Sequence, residues 1–229
     1  MNEAARIAAD ITKPTWVMAT AQTGARGRRG RSWVQQKGNL AATLVYCPAC
    51  TPAVAAQRSF VAANALFEAL ALSVDRTRLA LKWPNDVLLD GGKVAGILLE
   101  SSGRGPFVDW LSIGVGVNLA SAPTALAGAA FPPVSLAAAG GEQVSPAAFL
   151  ARLAGAFATQ EGKLEKLGFA RIRQDWLRQA ARLGEEITAQ VGEERITGIF
   201  DTIDEHGQLV LITGRGPRAI AAADVFFSE

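Results

Sequence analysis

Two stretches of this 229-residue chain gather residue types that could do chemistry. Residues 24–33 read GARGRRGRSW and set Arg26, Arg28, Arg29 and Arg31 among Gly24, Gly27 and Gly30. Glycine lets backbone N–H groups approach a ligand closely and adopt positive φ, and each guanidinium is a rigid fork of donors suited to carboxylate or phosphate. The segment therefore reads as an anion-binding loop. Residues 82–100 read KWPNDVLLDGGKVAGILLE and add Lys82, Lys93, the Asn85-Asp86 pair and a glycine-punctuated strand, a floor for the same site. An arginine cluster that merely faces solvent has no need of alternating glycines.

Such a site needs elements to hold it. Residues 15–21 (TWVMATA) are rich enough in aromatic and β-branched types for a strand, and the arginine loop follows directly. Residues 39–47 form a second strand candidate. Thr51-Pro52 is an N-cap and first-turn pair opening a helix to about Val74, with Val54, Phe60, Val61, Leu66, Phe67 and Leu70 on its apolar face. Strands are predicted at 79–83, 87–89, 94–100 and 107–119, the second and third joined by a tight hairpin at Gly91-Gly92. Residues 120–143, rich in Ala, Gly and Pro, read as surface chain. Ser145-Pro146 opens a helix to about Leu167, and another covers 169–183. Beyond Gly184 come short strands at 187–191, 195–203, 208–213 and 218–221 separated by glycine turns, the pattern of a small β-barrel. The division expected is a catalytic domain over 1–183 and a small domain over 184–229; a helix is also expected over 2–9.

Composition sets the class. A hydrophobic fraction of 49% supplies a core and 19% charged residues argues against disorder. Net charge is only +2, so basicity is concentrated in the arginine loop, which favours a discrete anionic ligand over a broad nucleic-acid surface. No apolar run reaches the roughly 18 residues of a membrane-spanning helix, and no signal-peptide pattern opens the chain; a cytoplasmic location and no membrane partner are expected. Cys47 and Cys50 have no further ligands near in sequence, His206 being the only histidine, so they read as incidental thiols and not as a zinc site.

The segments GARGRRGRSW, KWPNDVLLDGGKVAGILLE and IGVGVNL (residues 113–119) stand in the order and spacing of the biotin protein ligases, and the chain resembles that family over essentially its whole length. The resemblance implies an α+β fold: a catalytic domain like that of class II aminoacyl-tRNA synthetases, a mixed sheet flanked by helices, with a small SH3-like C-terminal β-barrel. It implies a reaction in which ATP and biotin give biotinyl-5′-AMP and pyrophosphate, the acyl group then passing to a lysine of a biotin carboxyl carrier protein domain. Biotin, ATP and Mg²⁺ are the small molecules implied, and the protein is expected as a monomer or homodimer.

Roles follow residue by residue from the resemblance. Lys93 and Arg28 are the catalytic pair, Lys93 contacting the biotin carboxylate and bridging acyl-phosphate oxygens. Gln22 meets the ureido region, where a neutral donor–acceptor is required. Ala25, Arg26, Gly96 and Gly114 complete the biotin side. Arg26, Arg28, Arg31, Trp33, Lys82, Asn85 and Asn118 serve the adenylate, Trp33 packing by the adenine; Arg29 faces solvent. Asp86 either holds the magnesium or orients Lys93, and it can equally be a structural turn acceptor.

Three features depart from the family pattern. The hydroxyl pair usually found near the start of this domain is missing, with Asn2 matching only the asparagine that follows it. Ala25 stands where a glycine is usual. No helix-turn-helix segment precedes the catalytic core, so no nucleic-acid partner is expected. A lipoate or octanoate ligase of related fold is the alternative reading, and a nucleic-acid-binding module using the arginine loop is a second.

Overall fold

The computed structural model describes residues 6–8, 10–30, 33–124 and 131–227. Six strands build the larger sheet: β1 (Thr15–Met18), β2 (Leu40–Tyr46), β3 (Leu79–Lys82), β4 (Asp86–Leu89), β5 (Gly92–Ser102) and β6 (Trp110–Val117), in the order β1-β2-β6-β5-β4-β3. The ladders are antiparallel, and among the described residues the isolated bridges Leu81–Ala180 and Lys93–Pro133 are parallel. Period-two alternation divides β5 and β6 between two environments. Gly96, Leu98 and Glu100, with Gly114 and Gly116, border a large cavity, while Ala95, Ile113 and Val117 enter the core.

Helices cover the core face. Thr51 caps α1 (Pro52–Ala56), its side chain accepting from the Val54 N–H, and α2 (Arg58–Leu70) follows after Gln57. The single long helix expected to Val74 is thus two, and Val54 is 39% exposed because α1 lies outside the packed face of α2. Ser145 caps α3 (Pro146–Leu167), which packs along α2, and α4 (Phe169–Leu177) is shorter than expected because residues 179–181 leave the helix to pair with Leu81. Between α2 and α3 lies a buried ion pair: Arg58 Nη2 is 2.7 Å from Glu161 Oε1, and Arg58 Nη1 also donates to Cys50 Sγ at 3.5 Å. Burial pushes the Glu161 carboxyl up, against the pull of Arg58.

The β4–β5 hairpin turns on Asp90-Gly91, both at positive φ, with Gly92 already in the strand. The expected Gly91-Gly92 turn is therefore one residue late: Asp-Gly supplies the left-handed pair this two-residue connection needs. Gly92 matters for space instead, since a Cβ there would come within 3.0 Å of Val134.

The C-terminal unit is a five-stranded antiparallel sheet, β7 (Glu186–Val191), β8 (Glu194–Ile203), β9 (Leu209–Thr213), β10 (Gly216–Ile220) and β11 (Asp224–Phe227), in the order β10-β9-β8-β7-β11. Among the described residues no ladder joins β10 to β11; the antiparallel arrangement is consistent with the SH3-like unit expected. β11 is a strand the sequence reading lacked. Its four residues pair with β7 and turn one end of the small domain toward the cavity. The helix expected over 2–9 falls largely outside the described residues; Arg6 and Ile7 are helical.

Candidate functional site

A cavity of about 830 Å³ lies between the larger sheet, the arginine loop, Pro123, Phe131, Pro133 and β11. Gln22, Ala25, Arg26, Arg28, Trp33, Lys82, Asn85, Asp86, Lys93, Gly96, Gly114 and Asn118 all line it. Arg31 and Asn2 lie outside the described residues, as does the Arg29 side chain.

The arginine loop is short and drawn together. The Trp33 N–H donates to the Ala25 carbonyl at 3.2 Å, and a single 3₁₀ turn spans Arg28–Gly30 with Gly30 at φ +74°. Ala25 is not among the residues at positive φ, so the alanine in place of glycine is accommodated by ordinary backbone. The loop lays the Trp33 indole across two sheet glycines paired with each other, Gly96 and Gly116. A Cβ on Gly116 would stand 2.5 Å from Trp33 Cε2, and one on Gly96 would stand 3.2 Å from Cζ3. These glycines are what allow an aromatic ring to lie flat on a sheet at this point.

On the opposite side stands an alternation of charges. Lys93 Nζ lies 2.6 Å from Asp86 Oδ1, an ionic contact without the alignment of a hydrogen bond, and 5.6 Å from the Trp33 ring centroid. Lys82 Nζ lies 3.9 Å from Asp86 Oδ2 and 4.6 Å from the centroid of the Phe131 ring. The register explains the cluster: Lys82 opposes Asp86 across the β3–β4 hairpin, whose loop includes the cis Trp83-Pro84 peptide, and a shift in the β4–β5 ladder brings Lys93 alongside. Lys82 is only 6% exposed, and burial, with Lys93 and Arg28 adding repulsion, pushes its ammonium pKa down to about 8 despite Asp86 and Asp224. A buried ammonium flanked by Lys93 and Arg28 is stabilised by an anion brought beside it, which suits a phosphate.

Two predicted ligand contacts turn out to be tied to the protein. Asn118 donates to the Val134 carbonyl at 3.1 Å and accepts from Asn39 at 3.4 Å, which ties Val134 to the sheet. Asn85 donates to the Ile97 carbonyl at 2.6 Å. The structure also brings in Phe131, Asp224 and Phe226, which the sequence reading did not single out. Only the Asp-Val-Phe-Phe alternation of residues 224–227 could have marked the last two, and four residues are too few to stand out. Cys47 and Cys50 are free thiols away from this cavity.

Comparison with known proteins agrees with this arrangement. A model for the Biotin/lipoate A/B protein ligase family matches residues 5–118, and one for the Biotin protein ligase C terminal domain matches residues 183–228. The biotin–[acetyl-CoA-carboxylase] ligase of Paracoccus denitrificans is 52% identical over 98% of this chain and 95% of its own length. The chain belongs to the biotin protein ligase family. A more distant member, the bifunctional ligase/repressor BirA of Bacillus subtilis, is 29% identical over 92% of this chain and 65% of that protein. Among solved structures, the Aquifex aeolicus biotin protein ligase in complex with biotin and ATP superposes with a TM-score of 0.79 at 24% identity, covering 96% of this chain and 92% of that one. The Leishmania major enzyme in complex with biotinyl-5-AMP gives 0.59 at 21% identity, with coverage of 96% and 94%. At those identities the likeness is one of fold.

Proposed function

We propose that the protein joins biotin to ATP as biotinyl-5′-AMP with release of pyrophosphate, then passes the biotinyl group to a lysine of the biotin carboxyl carrier protein of a carboxylase. The observation that carries this reading is one cavity in which an arginine loop, two lysines sharing an aspartate and a glycine-floored sheet meet. In the first step a carboxylate oxygen attacks the α-phosphorus and pyrophosphate leaves; in the second a lysine amine attacks the acyl carbonyl and AMP leaves. Both steps gather negative charge, which fixed cations stabilise without reorganising. Lys93 and Arg28 hold the carboxylate and the bridging oxygens, Arg26 closes over them, and Lys82 receives the nucleotide phosphates. Gln22 offers its neutral amide to the ureido group, beside Ala25 and Gly114.

The donor set around Asp86 does not suit a magnesium ligand. Its carboxylate already faces two ammonium groups, at 2.6 and 3.9 Å, and a hard dication would have to enter against both. Asp86 is accordingly a positioning residue that orients Lys93 and Lys82. Asn118 and Asn85 brace the site, and Trp33 is the wall between its two halves. A cytoplasmic location accords with ATP as substrate and with two free thiols.

A competition assay tests the reading. Purified protein with magnesium-ATP should release pyrophosphate with biotin; adenylation of lipoate or octanoate but not of biotin would overturn it.

A further inference from the structure

Leu81 and Trp83, the residues on either side of Lys82 at the end of β3, are each held by C-terminal chain. The Leu81 N–H donates to the Gln179 carbonyl at 2.7 Å, and the Leu81 carbonyl accepts from the Ala181 N–H at 2.8 Å, so the run into the small domain covers the free edge of the sheet. Lys82 faces the cavity beneath Phe131, and Phe131 stacks edge-to-face on Phe227 of β11 with centroids 4.7 Å apart. Trp83 turns away from the cavity and is 3% exposed; its Nε1–H donates to the Gly207 carbonyl at 3.1 Å.

Gly207 belongs to the turn between β8 and β9. That turn is itself rigid, because Asp204 Oδ1 accepts from the N–H groups of His206 and Gln208 at 2.9 and 2.8 Å. Gly207 has φ +83°, and a Cβ there would stand 2.8 Å from Phe60 Cε2. Phe60 is 5% exposed and packs edge-to-face on Trp176 and Phe169. The turn thus enters the catalytic domain's core backbone-first, and the atom it presents to Trp83 is a fixed carbonyl.

We infer that the small domain sets the position of Lys82 for adenylation through the Trp83–Gly207 hydrogen bond, making Trp83 and Gly207 positioning residues that touch no ligand. This rests on reading Lys82 as the receiver of the nucleotide phosphates. Trp83 directly follows Lys82, the last residue of β3, and shares a peptide bond with it, so a pull on Trp83 is felt at the Cα of Lys82. Lys82 has little freedom of its own to compensate, enclosed as it is by Asp86 and Phe131. Biotin's side of the cavity is built on β5, β6 and the arginine loop, not on the β3–β4 connection that Trp83 opens.

The test uses the full chain with Trp83→Phe, which keeps a ring and removes the N–H, and with Gly207→Ala. The pyrophosphate burst is followed against ATP concentration, and biotin binding is titrated separately by calorimetry. The half-saturating ATP concentration is expected to rise about 3- to 10-fold, the effect of one buried hydrogen bond, with biotin affinity within about twofold and stoichiometry unchanged. Unchanged ATP dependence in Trp83→Phe overturns the proposal. So does a parallel loss of biotin and ATP function in proportion to the folded fraction, the mark of a merely structural contact. Should Gly207→Ala fail to fold, Trp83→Phe decides alone. A wild-type protein that releases no pyrophosphate with biotin refutes the ligase reading itself and is distinguished from either outcome.

Discussion

Lys82 and Lys93 share one aspartate but stand in different surroundings, and that difference separates their expected behaviour. Lys82 is almost sealed, whereas the Lys93 side chain keeps 31% of its exposure. Because the folded state holds the Lys82 proton only to about pH 8 and the unfolded chain to 10.5, the unfolded state binds more protons between those values, and stability gains from this residue as pH rises through the window. Lys82→Met should therefore be more stable than the parent at pH 7 in urea unfolding, with the gap closing toward pH 10. The same substitution should weaken ATP binding, and in the parent ATP affinity should fall as pH climbs past about 8. Lys93→Ala should abolish most adenylation with little change in melting temperature, because the side chain contributes charge and little packing; a pyrophosphate burst of normal rate would remove Lys93 from the mechanism. Asn118 teaches the opposite lesson. A polar residue matched to a ligand-facing position proves to have both ends of its amide engaged by the protein.

At the scale of elements, the start of α2 is tied to α3 by the buried pair of Arg58 and Glu161. Arg58→Met would strand the Glu161 carboxylate in the interior, at a cost of about 3–5 kcal/mol in denaturant unfolding. Replacing both residues by methionine should recover most of that, since no unpaired charge remains. Burial already pushes the Glu161 carboxyl upward, so in the single variant it takes a proton more readily, and the deficit should be smaller at pH 5 than at pH 8. The sheet elements were largely legible in the chain. Alternation and turn residues located β2 to β10 within a few positions, and Ser145-Pro146 marked the start of α3. Errors fell where tertiary packing overrides local preference. α4 stops early because Leu81 recruits residues 179–181, and the helix from Thr51 breaks at Gln57 where α1 leaves the core.

For the whole molecule, the cavity is assembled by two sheets and two connecting segments, so ligand binding should be felt in global stability. Biotin together with a non-hydrolysable ATP analogue, each at about a hundred times its dissociation constant, should each stabilise by about 2.7 kcal/mol. Thermal unfolding should show the second increment added to the first. A second ligand that gives no further shift would mean that the two compete for one subsite. The C-terminal sheet takes part through Asp224 and Phe226 at the rim and Phe227 against Phe131, so deleting side chains on β11 should act on the nucleotide increment more than on biotin's.

The amino-acid sequence alone determined the chemistry: forked cations on a glycine-rich loop, paired lysines near an Asn-Asp, and glycines where a sheet must admit a flat group are properties of residue type and spacing. It also determined the family, because three such segments in register specify one fold. Only the tertiary structure decided which of these groups meet. That Asp86 is shared by two lysines depends on a shift in the β4–β5 ladder, that Trp33 lies on Gly96 and Gly116 depends on how the loop returns, and that Trp83 grips Gly207 depends on two sheets distant in sequence. Spacing along a chain fixes which face a side chain takes, but contact between elements is set by packing, which no local pattern records.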